Sequence, residues 1–480
     1  MKQVEPGAEP SQVQPMPALG SPRTRLPFQS LGRKEWARLG LAALAVCYLV
    51  MTGYWLFYFG LFKYVAGDFR AFWSAADLAQ HVGYAKVYDL TLLAEYQRPL
   101  FYLYPSYGPT PDYLTVPMPF LPVFVAAFTP LLPLGATAGF AAWTALNLVL
   151  IALYFVRLGF ALRRAEGGRL SVLAMLLSWP VFLTLFFGQV NLILLVAAGE
   201  FTLALARRRS LMAGMWLGLF LIKPQMLILL LPGLLLARQR NALIGFVVTA
   251  VPILAGSAYL VGWDGLRDPA TLLSQYIGGL LSNTAQHMMN WRALAENLGA
   301  FVPTEMKWAI VGIGTLVCAA AALWLWWLSP WRNERSLAAA ILATFAATNV
   351  VSWHSHMQMA VPTIAVLAYA AAYAVVPGWL ANLWMLAPGV VMMAALFTLG
   401  NPMAMAYSAT LTFALNLALE AWAVIVFFRA RRKGSPVLVA EPQAEPPPSA
   451  VSGPLEGQWP VPRPIRLSVS PAATLLGGEP

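Results

Sequence analysis

The chain has 480 residues, of which 59% are hydrophobic and only 11% are charged, and its mean hydropathy is +0.65. Soluble domains carry about 25% charged residues, so this composition excludes an ordinary soluble protein. The formal net charge of +11 could indicate nucleic-acid binding, but the Arg and Lys residues cluster in short stretches between apolar runs, as membrane topology requires. We therefore expect no nucleic-acid partner.

Apolar runs of about twenty residues recur from Leu39 to Phe428. Each is long enough to cross ~30 Å of hydrocarbon as an α-helix. The runs are continuous rather than alternating, which disfavours strands, and a backbone in lipid has to satisfy its own hydrogen bonds. The sequence therefore predicts an all-α, polytopic transmembrane helical bundle.

The two ends of the chain differ from the rest. Residues 1–32 and 434–480 are rich in Pro, Gly, Ser and Gln, and we expect two disordered tails because such segments bury too little apolar surface to fold. Residues 33–433 then form one integral membrane domain. Its first apolar run lacks a small-residue cleavage site, so we expect a retained helix rather than a secretion signal.

Basic clusters between the runs set the orientation, because the positive-inside rule places all of them in the cytoplasm. Thirteen full crossings would put the two tails on opposite sides, so one segment is expected not to cross. The best candidate is "PMPFLPVFVAAFTPLLP", whose five prolines interrupt helical hydrogen bonding. The prediction is about twelve spanning helices plus this partial or re-entrant segment, from the apolar segments 37–60, 117–133, 136–162, 170–187, 189–206, 210–222, 224–237, 241–262, 308–328, 337–352, 357–376, 380–399 and 405–428.

This topology predicts that both tails are cytoplasmic and that the loops 61–116 and 263–307 lie outside. All four histidines and the turns at Gly188-Gln189 and Lys223-Pro224 then fall on the outer face. Polar chemistry is concentrated there, so a site built from these pieces is expected at the outer lipid boundary.

Asp68 follows the first apolar run, in "GDFRAFWSAADLAQ". One interpretation is a solvated carboxylate at a helix N-terminus, with Phe69, Phe72 and Trp73 as an interfacial aromatic belt. The other is a general base near the lipid interface, where partial desolvation raises its pKa and its basicity toward a hydroxyl group. Spacing alone leaves both open.

Two further stretches place polar residues between apolar segments. Lys223 in "IKPQ" could neutralise a lipid phosphate or could be a lysine that snorkels from a helix end. Gln189 and Asn191 in "FFGQVNLILL" could hold sugar hydroxyls or make interhelical hydrogen bonds.

The densest polar cluster of the second half is "SWHSHMQ", with His354 and His356 two residues apart. These side chains would converge only in an extended segment, and neither HExxH nor Cys pairs accompany them, so we expect no metal. Donation to a phosphate or interfacial hydrogen bonding would explain them. Asn290 and Arg292 stand at a predicted helix start, where either phosphate contact or helix capping would explain them.

The order of the motifs resembles glycosyltransferase family 87, a branch of the C-type, multi-helix glycosyltransferases. The resemblance runs through residues 65–375 and rests on "GDFRAFWSAADLAQHVGYAKVYDL", "FFGQVNLILL", "IKPQ", "VGWDGL", "MMNWRAL" and "VVSWHSHMQMAVP". Many relatives read "YPP" after the first outer loop, whereas this chain reads "LTVPMPFLP".

The resemblance implies a C-type fold and transfer of a sugar, mannose-like, from a polyprenyl-phosphate donor to a lipid or glycan acceptor with inversion. It implies Asp68 as general base, Lys223 at the donor phosphate, and His354 or His356 beside it. We add Arg292, Gln189 and Asn191 as candidate donor-binding residues. The implied location is the plasma membrane, among membrane lipids, with the lipid-linked sugar as substrate and no cofactor. The alternative is a polyprenyl-lipid or solute transporter, which often carries charges at mid-membrane.

Overall fold

The computed structural model describes residues 32–59, 65, 67–103, 115–161, 174–277, 285–299, 301–399 and 401–432. Within these ranges the secondary structure is helical, apart from a single antiparallel bridge between Met288 and His356. The all-α prediction is therefore confirmed. Nearly all of both predicted tails, and parts of the two predicted outer loops, lie outside the described residues.

The helices follow the apolar runs of the sequence closely, because each run supplies a continuous apolar surface with internally satisfied hydrogen bonds. They are α1 (Arg33–Phe59), α2 (Gly67–His81), α3 (Leu90–Gln97), α4 (Pro122–Ala126), α5 (Gly135–Ala161), α6 (Trp179–Phe187), α7 (Asn191–Ala206), α8 (Ser210–Gly218), α9 (Leu230–Leu236), α10 (Arg240–Gly265), α11 (Arg267–Ile277), α12 (Trp291–Asn297), α13 (Thr304–Trp327), α14 (Glu334–Val351), α15 (Val361–Ala372), α16 (Gly378–Leu399) and α17 (Asn401–Arg432).

Short 3-10 turns connect several of these helices. They are Tyr84–Tyr88, Arg98–Leu103, Thr129–Leu134, Leu219–Ile222, Pro224–Leu227, Ala285–His287, Pro330–Arg332 and Met357–Ala360.

Six helical stretches of the described chain are long and apolar enough to cross a membrane, and shorter apolar helices accompany them. The protein is therefore a multi-pass membrane protein. The expected number of about twelve crossings stays a prediction, since length and composition alone qualify half that number.

The proline-rich segment is broken, as its sequence predicts. It forms one α-helical turn and a half in α4, then the 3-10 turn Thr129–Leu134, and reaches α5 through Gly135 with a positive φ of 72°. Proline removes backbone donors and clashes with the preceding turn, so a single continuous helix cannot form here. Whether this segment crosses the membrane stays a prediction.

Helix α14 is the centre of the bundle, because every residue from Ser336 to Val351 is buried. Helices α13, α15 and α17 pack against it. A helix buried on all sides needs partners for its polar residues. The Asn349 amide donates to Thr363 Oγ1 at 3.1 Å and to Asn416 Oδ1 at 3.0 Å, which ties α14 to α15 and α17.

Helices α8 and α10 approach so closely that only small residues fit between them. A Cβ atom on Gly214 would lie 1.8 Å from the Ala242 carbonyl oxygen, and one on Gly245 would lie 2.0 Å from the Leu211 carbonyl oxygen. Small residues at such crossings let backbones pack directly, which is a common basis of helix association in membranes. This contact fixes the helix that leads into Lys223.

Candidate active site

Asp68 lies in the first turn of α2, so the helix-start interpretation of this residue is correct as far as secondary structure goes. The aromatic-belt interpretation is wrong for two of its three members, because Phe69 and Phe72 are 0% and 3% exposed. Both pack inside the protein against Phe128, at ring-centroid distances of 6.3 Å and 4.9 Å. These contacts anchor the first turn of α2 and thereby position Asp68.

A glycine turn brings Gln189 next to this helix. Helix α6 ends at Phe187, and Gly188 adopts the left-handed conformation with φ 68° and ψ 31°. Glycine reaches that region without the steric cost of a side chain. Its carbonyl oxygen accepts a hydrogen bond of 2.9 Å from Trp143 Nε1, and a Cβ atom here would lie 2.5 Å from the Cβ of Phe69. The turn therefore packs directly against the residue that follows Asp68.

Lys223 occupies a break between two short helices. The 3-10 turn that extends α8 ends at Ile222, and Lys223 has non-helical φ and ψ of −134° and 78°. Pro224 starts the next turn and prevents the helix from continuing. The side chain of Lys223 is buried, with the residue 5% exposed.

Gln189 joins Lys223 to Asp68. Lys223 Nζ donates to Gln189 Oε1 at 2.9 Å, and Gln189 Nε2 donates to Asp68 Oδ2 at 2.5 Å. These residues are 34 and 121 positions apart in sequence, so only the tertiary fold brings them together. One neutral amide therefore connects a buried ammonium group to a carboxylate.

Burial shifts the protonation of both charged groups. It raises the pKa of Asp68 above its usual range, while the Gln189 hydrogen bond and the nearby Lys223 and Arg70 oppose that rise. Burial also lowers the pKa of Lys223 to about 8, against the stabilising charge of Asp68. Lys223 is thus still largely protonated near neutral pH, and Asp68 is a stronger base than an exposed carboxylate.

The two histidines lie in the turn between α14 and the 3-10 turn Met357–Ala360, and their rings are 4.8 Å apart at an angle of 83°. The side-chain amide of Asn290 holds this turn by donating to the Ser352 and Trp353 carbonyl oxygens at 2.8 Å and 3.0 Å. Asn290 Oδ1 also accepts from Ala293 N and caps α12, so the capping interpretation of Asn290 is confirmed.

Both histidines are neutral at pH 7. Burial, followed by the neighbouring charges, lowers the pKa of His356 to about 4 and that of His354 well below its usual value. A neutral imidazole donates one hydrogen bond and contributes no positive charge. Within the described residues no group of three His, Cys, Asp or Glu side chains is placed to hold a metal ion.

A cavity of about 1150 Å³ brings most of these groups together. Its polar wall includes Asp68, Arg70, Gln189, Lys223, His354 and His356. Helices α9, α10 and α11 add an apolar wall with Leu231, Phe246 and Leu273. The cavity is therefore amphiphilic and carries charged groups of both signs.

Two predicted residues lie outside the wall of this cavity. Asn191 is fully buried, and its amide donates to the Gln358 carbonyl oxygen at 2.7 Å, which is the interhelical bonding offered as its alternative role. The Arg292 guanidinium lies 5.2 Å from the ring centroid of Trp353, and it is Trp353 that borders the cavity. Their predicted donor-binding roles stay predictions.

Several polar lining residues were not assigned a role from the sequence, among them Arg70, Gln225 and His287. Gln225 and His287 stand within or beside quoted motifs, so motif position offered a signal. His287 reaches the cavity because the backbone of Met289 donates to the Ser355 carbonyl oxygen at 2.8 Å, a long-range pairing without a sequence pattern. Arg70 is 3% exposed and acts electrostatically on Asp68.

The fold and the cavity define a multi-pass membrane protein with a charged, amphiphilic site. The model of glycosyltransferase family 87 matches residues 120–353. The match covers just under half of the chain, confirms the resemblance to this family and supports the prediction that the protein is a glycosyltransferase. It spans Gln189, Lys223 and Arg292 but neither Asp68 nor the two histidines. Comparison with curated proteins and with solved structures gives no match.

Proposed function

We propose that this protein transfers a hexose, mannose-like, from a polyprenyl-phosphate donor to a lipid or glycan acceptor on the outer face of the plasma membrane, with inversion. Both termini would be cytoplasmic. Asp68 is the general base, and Lys223 stabilises the donor phosphate.

The observation that carries the proposal is the pairing of a carboxylate and an ammonium group through Gln189 on the wall of an amphiphilic cavity. A polyprenyl-phosphate sugar needs three environments at once. The sugar and its acceptor need a base and hydrogen-bond partners, the phosphate needs a cation, and the lipid needs an apolar wall. The described cavity offers each of them.

The chemistry follows from these positions. Asp68 removes the proton of an acceptor hydroxyl, and the hydroxyl oxygen forms a bond to the anomeric carbon. The bond between that carbon and the phosphate oxygen breaks, and polyprenyl phosphate leaves with its electron pair. The leaving group gains one negative charge and needs a cation rather than an acid. Lys223 supplies the cation, and the neutral histidines supply N–H donors.

A single displacement of this kind inverts the anomeric centre, and it needs one carboxylate. Asp77 is the next acidic residue of α2, and it pairs with His81 at 3.1 Å rather than with Asp68. Inversion is therefore supported by a base without a second carboxylate beside it among the described residues that line the cavity.

The test is a transfer assay with purified protein in liposomes, a panel of polyprenyl-phosphate sugars, and product analysis by mass spectrometry. Asp68→Asn keeps the shape of the side chain and removes the base, so we expect transfer to fall by about 10²–10⁴-fold. Asp77→Asn, on the same helix, is the matched control and should retain activity. Full activity of Asp68→Asn would refute the base, and labelled lipid moving across the bilayer without sugar transfer would favour a transporter.

A further inference from the structure

Gln189 uses both atoms of its amide within the protein. The orientation of the amide is set by chemistry, because a carboxylate only accepts hydrogen bonds and an ammonium group only donates them. The NH₂ group therefore faces Asp68 and the carbonyl oxygen faces Lys223, at 2.5 Å and 2.9 Å. Gln189 is only 8% exposed, so its side chain has little freedom to turn toward a ligand.

We propose that Gln189 is a positioning residue, which holds the base and the phosphate-binding cation apart and aligned, rather than a ligand for the sugar or the phosphate. This inference rests on the proposed function, since it assigns the task of Gln189 relative to Asp68 and Lys223.

The separation has a chemical purpose. A direct contact between Asp68 and Lys223 would stabilise the carboxylate by a full ion pair and lower its pKa by about 1–3 units, which would make it a poorer base. An ammonium group held by that carboxylate would also be less available to a phosphate. An interposed amide satisfies one oxygen of Asp68 and one proton of Lys223, and it leaves the remaining positions of both groups for substrates.

The alignment follows from the surroundings of Gln189. The hydrogen bond engages Oδ2 of Asp68, and in the proposed reaction Oδ1 would accept the proton of the acceptor hydroxyl. The backbone of Gln189 is fixed by its N–H bond to the Thr184 carbonyl oxygen at 2.8 Å and by the left-handed turn at Gly188. The amide therefore sits on a rigid turn between two helices, as a positioning group requires.

Gln189→Glu tests this role by pH dependence. The new carboxylate still accepts from Lys223 but places a second negative charge beside Asp68. Like charges at this distance raise the pKa of one carboxyl group, so the acidic limb of the rate profile should move up by about one pH unit or more. Activity should recover as the pH is raised, and the KM for the donor should rise because the new carboxylate forms an ion pair with Lys223.

The matched control is Gln97→Glu. Gln97 is also a buried glutamine with both amide atoms engaged, at 2.9 Å from the backbone nitrogen and oxygen of Val116, and it does not contact Asp68. This variant places the same buried carboxylate elsewhere, so it should leave the acidic limb in place. Gln189→Ala gives a second measurement, with kcat lower by about 10- to 100-fold at a similar donor KM.

The outcomes distinguish failure of the positioning role of Gln189 from failure of the proposed function. An unchanged acidic limb in Gln189→Glu, or a raised donor KM with normal kcat in Gln189→Ala, would overturn the positioning role. Both variants are measured beside Asp68→Asn. Retained transfer in Asp68→Asn would instead remove the proposed base itself, whatever Gln189 does.

Discussion

Two buried amides serve different ends in this protein. Asn349 donates to Asn416 and Thr363 between helices of the bundle, and all three residues are 0% exposed and neutral. Gln189 instead bridges a carboxylate and an ammonium group at the edge of a cavity. The chemistry of the amide is the same in both clusters.

The difference lies in the cost of burying the partners. A buried neutral amide whose NH₂ group is hydrogen bonded costs less to bury than a charged group and can hold helices together in a membrane. A buried carboxylate and a buried ammonium group each lose several kcal/mol of solvation, and their interaction only partly offsets that loss. Stability alone would not retain the charged cluster, which is consistent with its proposed role in the reaction, whereas packing accounts for the neutral cluster.

Among the substitutions considered below, removal of the Lys223 ammonium group should reduce sugar transfer the most. Lys223→Met keeps the aliphatic length and deletes the ammonium group, so we expect transfer to fall by about 10²–10³-fold, as when a charge-stabilising donor is lost. Steady-state kinetics with the active donor measure this loss. Lys86→Met, at an exposed lysine, applies the same change outside the cavity and should have little effect. Near-normal kcat in Lys223→Met would contradict the role of Lys223.

Gly188→Ala should disturb the same cluster through the backbone. Alanine at φ 68° is strained by about 1–3 kcal/mol, and its Cβ would press on Phe69 at 2.5 Å. Asp68 and Gln189 would both shift, and transfer should fall by up to about 100-fold.

Gly262→Ala is a control that distinguishes backbone strain at a positive φ from the steric contact with Phe69. Gly262 also has a positive φ, of 75°, but a Cβ atom there meets nothing within 4 Å. Thermal unfolding should show a loss in both variants, and only Gly188→Ala should lose activity beyond the loss of folded protein. Equal activity losses in the two variants would show that the contact with Phe69 is unimportant.

The rate should depend on pH through both charged groups. The proposed base, Asp68, has to be a carboxylate, and its pKa is raised, so activity should be lost as the pH falls through that pKa. The proposed phosphate-binding group, Lys223, has to be an ammonium group, and its pKa is about 8, so activity should be lost as the pH rises past about 8. A bell-shaped profile of kcat/KM is expected. A rate that still climbs well above pH 8 would exclude a need for charged Lys223.

Substitutions in the neutral cluster of Asn349 and Asn416 should have the smallest effect. Replacement of Asn349 and Asn416 by alanine, singly and together, forms a double-mutant cycle, and we expect a coupling energy of about 0.6 kcal/mol, as is typical between membrane helices. Unfolding in mixed micelles measures it. The pH profile of the remaining folded enzyme should be unchanged, and a shifted profile would show that this cluster communicates with the site.

Much of the fold could be predicted, because apolar runs and prolines act locally. The break in the proline-rich segment and the helix start at Asp68 both follow from nearby residues. The family resemblance named Asp68, Lys223 and the histidines together, and the structure places all of them on one cavity.

Other features of the site depend on contacts between residues far apart in the sequence. The burial of Phe69 and Phe72 could not be predicted, since it results from aromatic partners such as Phe120 and Phe128 about 50 residues further along the chain. The bridge by Gln189 likewise depends on a turn whose position against α2 is a tertiary feature. Sequence spacing left ligand binding and interhelical bonding equally open for this residue.

The apolar wall has a consequence for how rates are measured. Ile228 lines the cavity and is also 52% exposed, so the wall continues to the outside of the protein. A lipid-linked donor that arrives along this surface diffuses in two dimensions, and its effective concentration is its mole fraction in the bilayer. Added inert phospholipid or detergent should then slow the reaction by surface dilution, even when the bulk amounts of enzyme and donor stay constant.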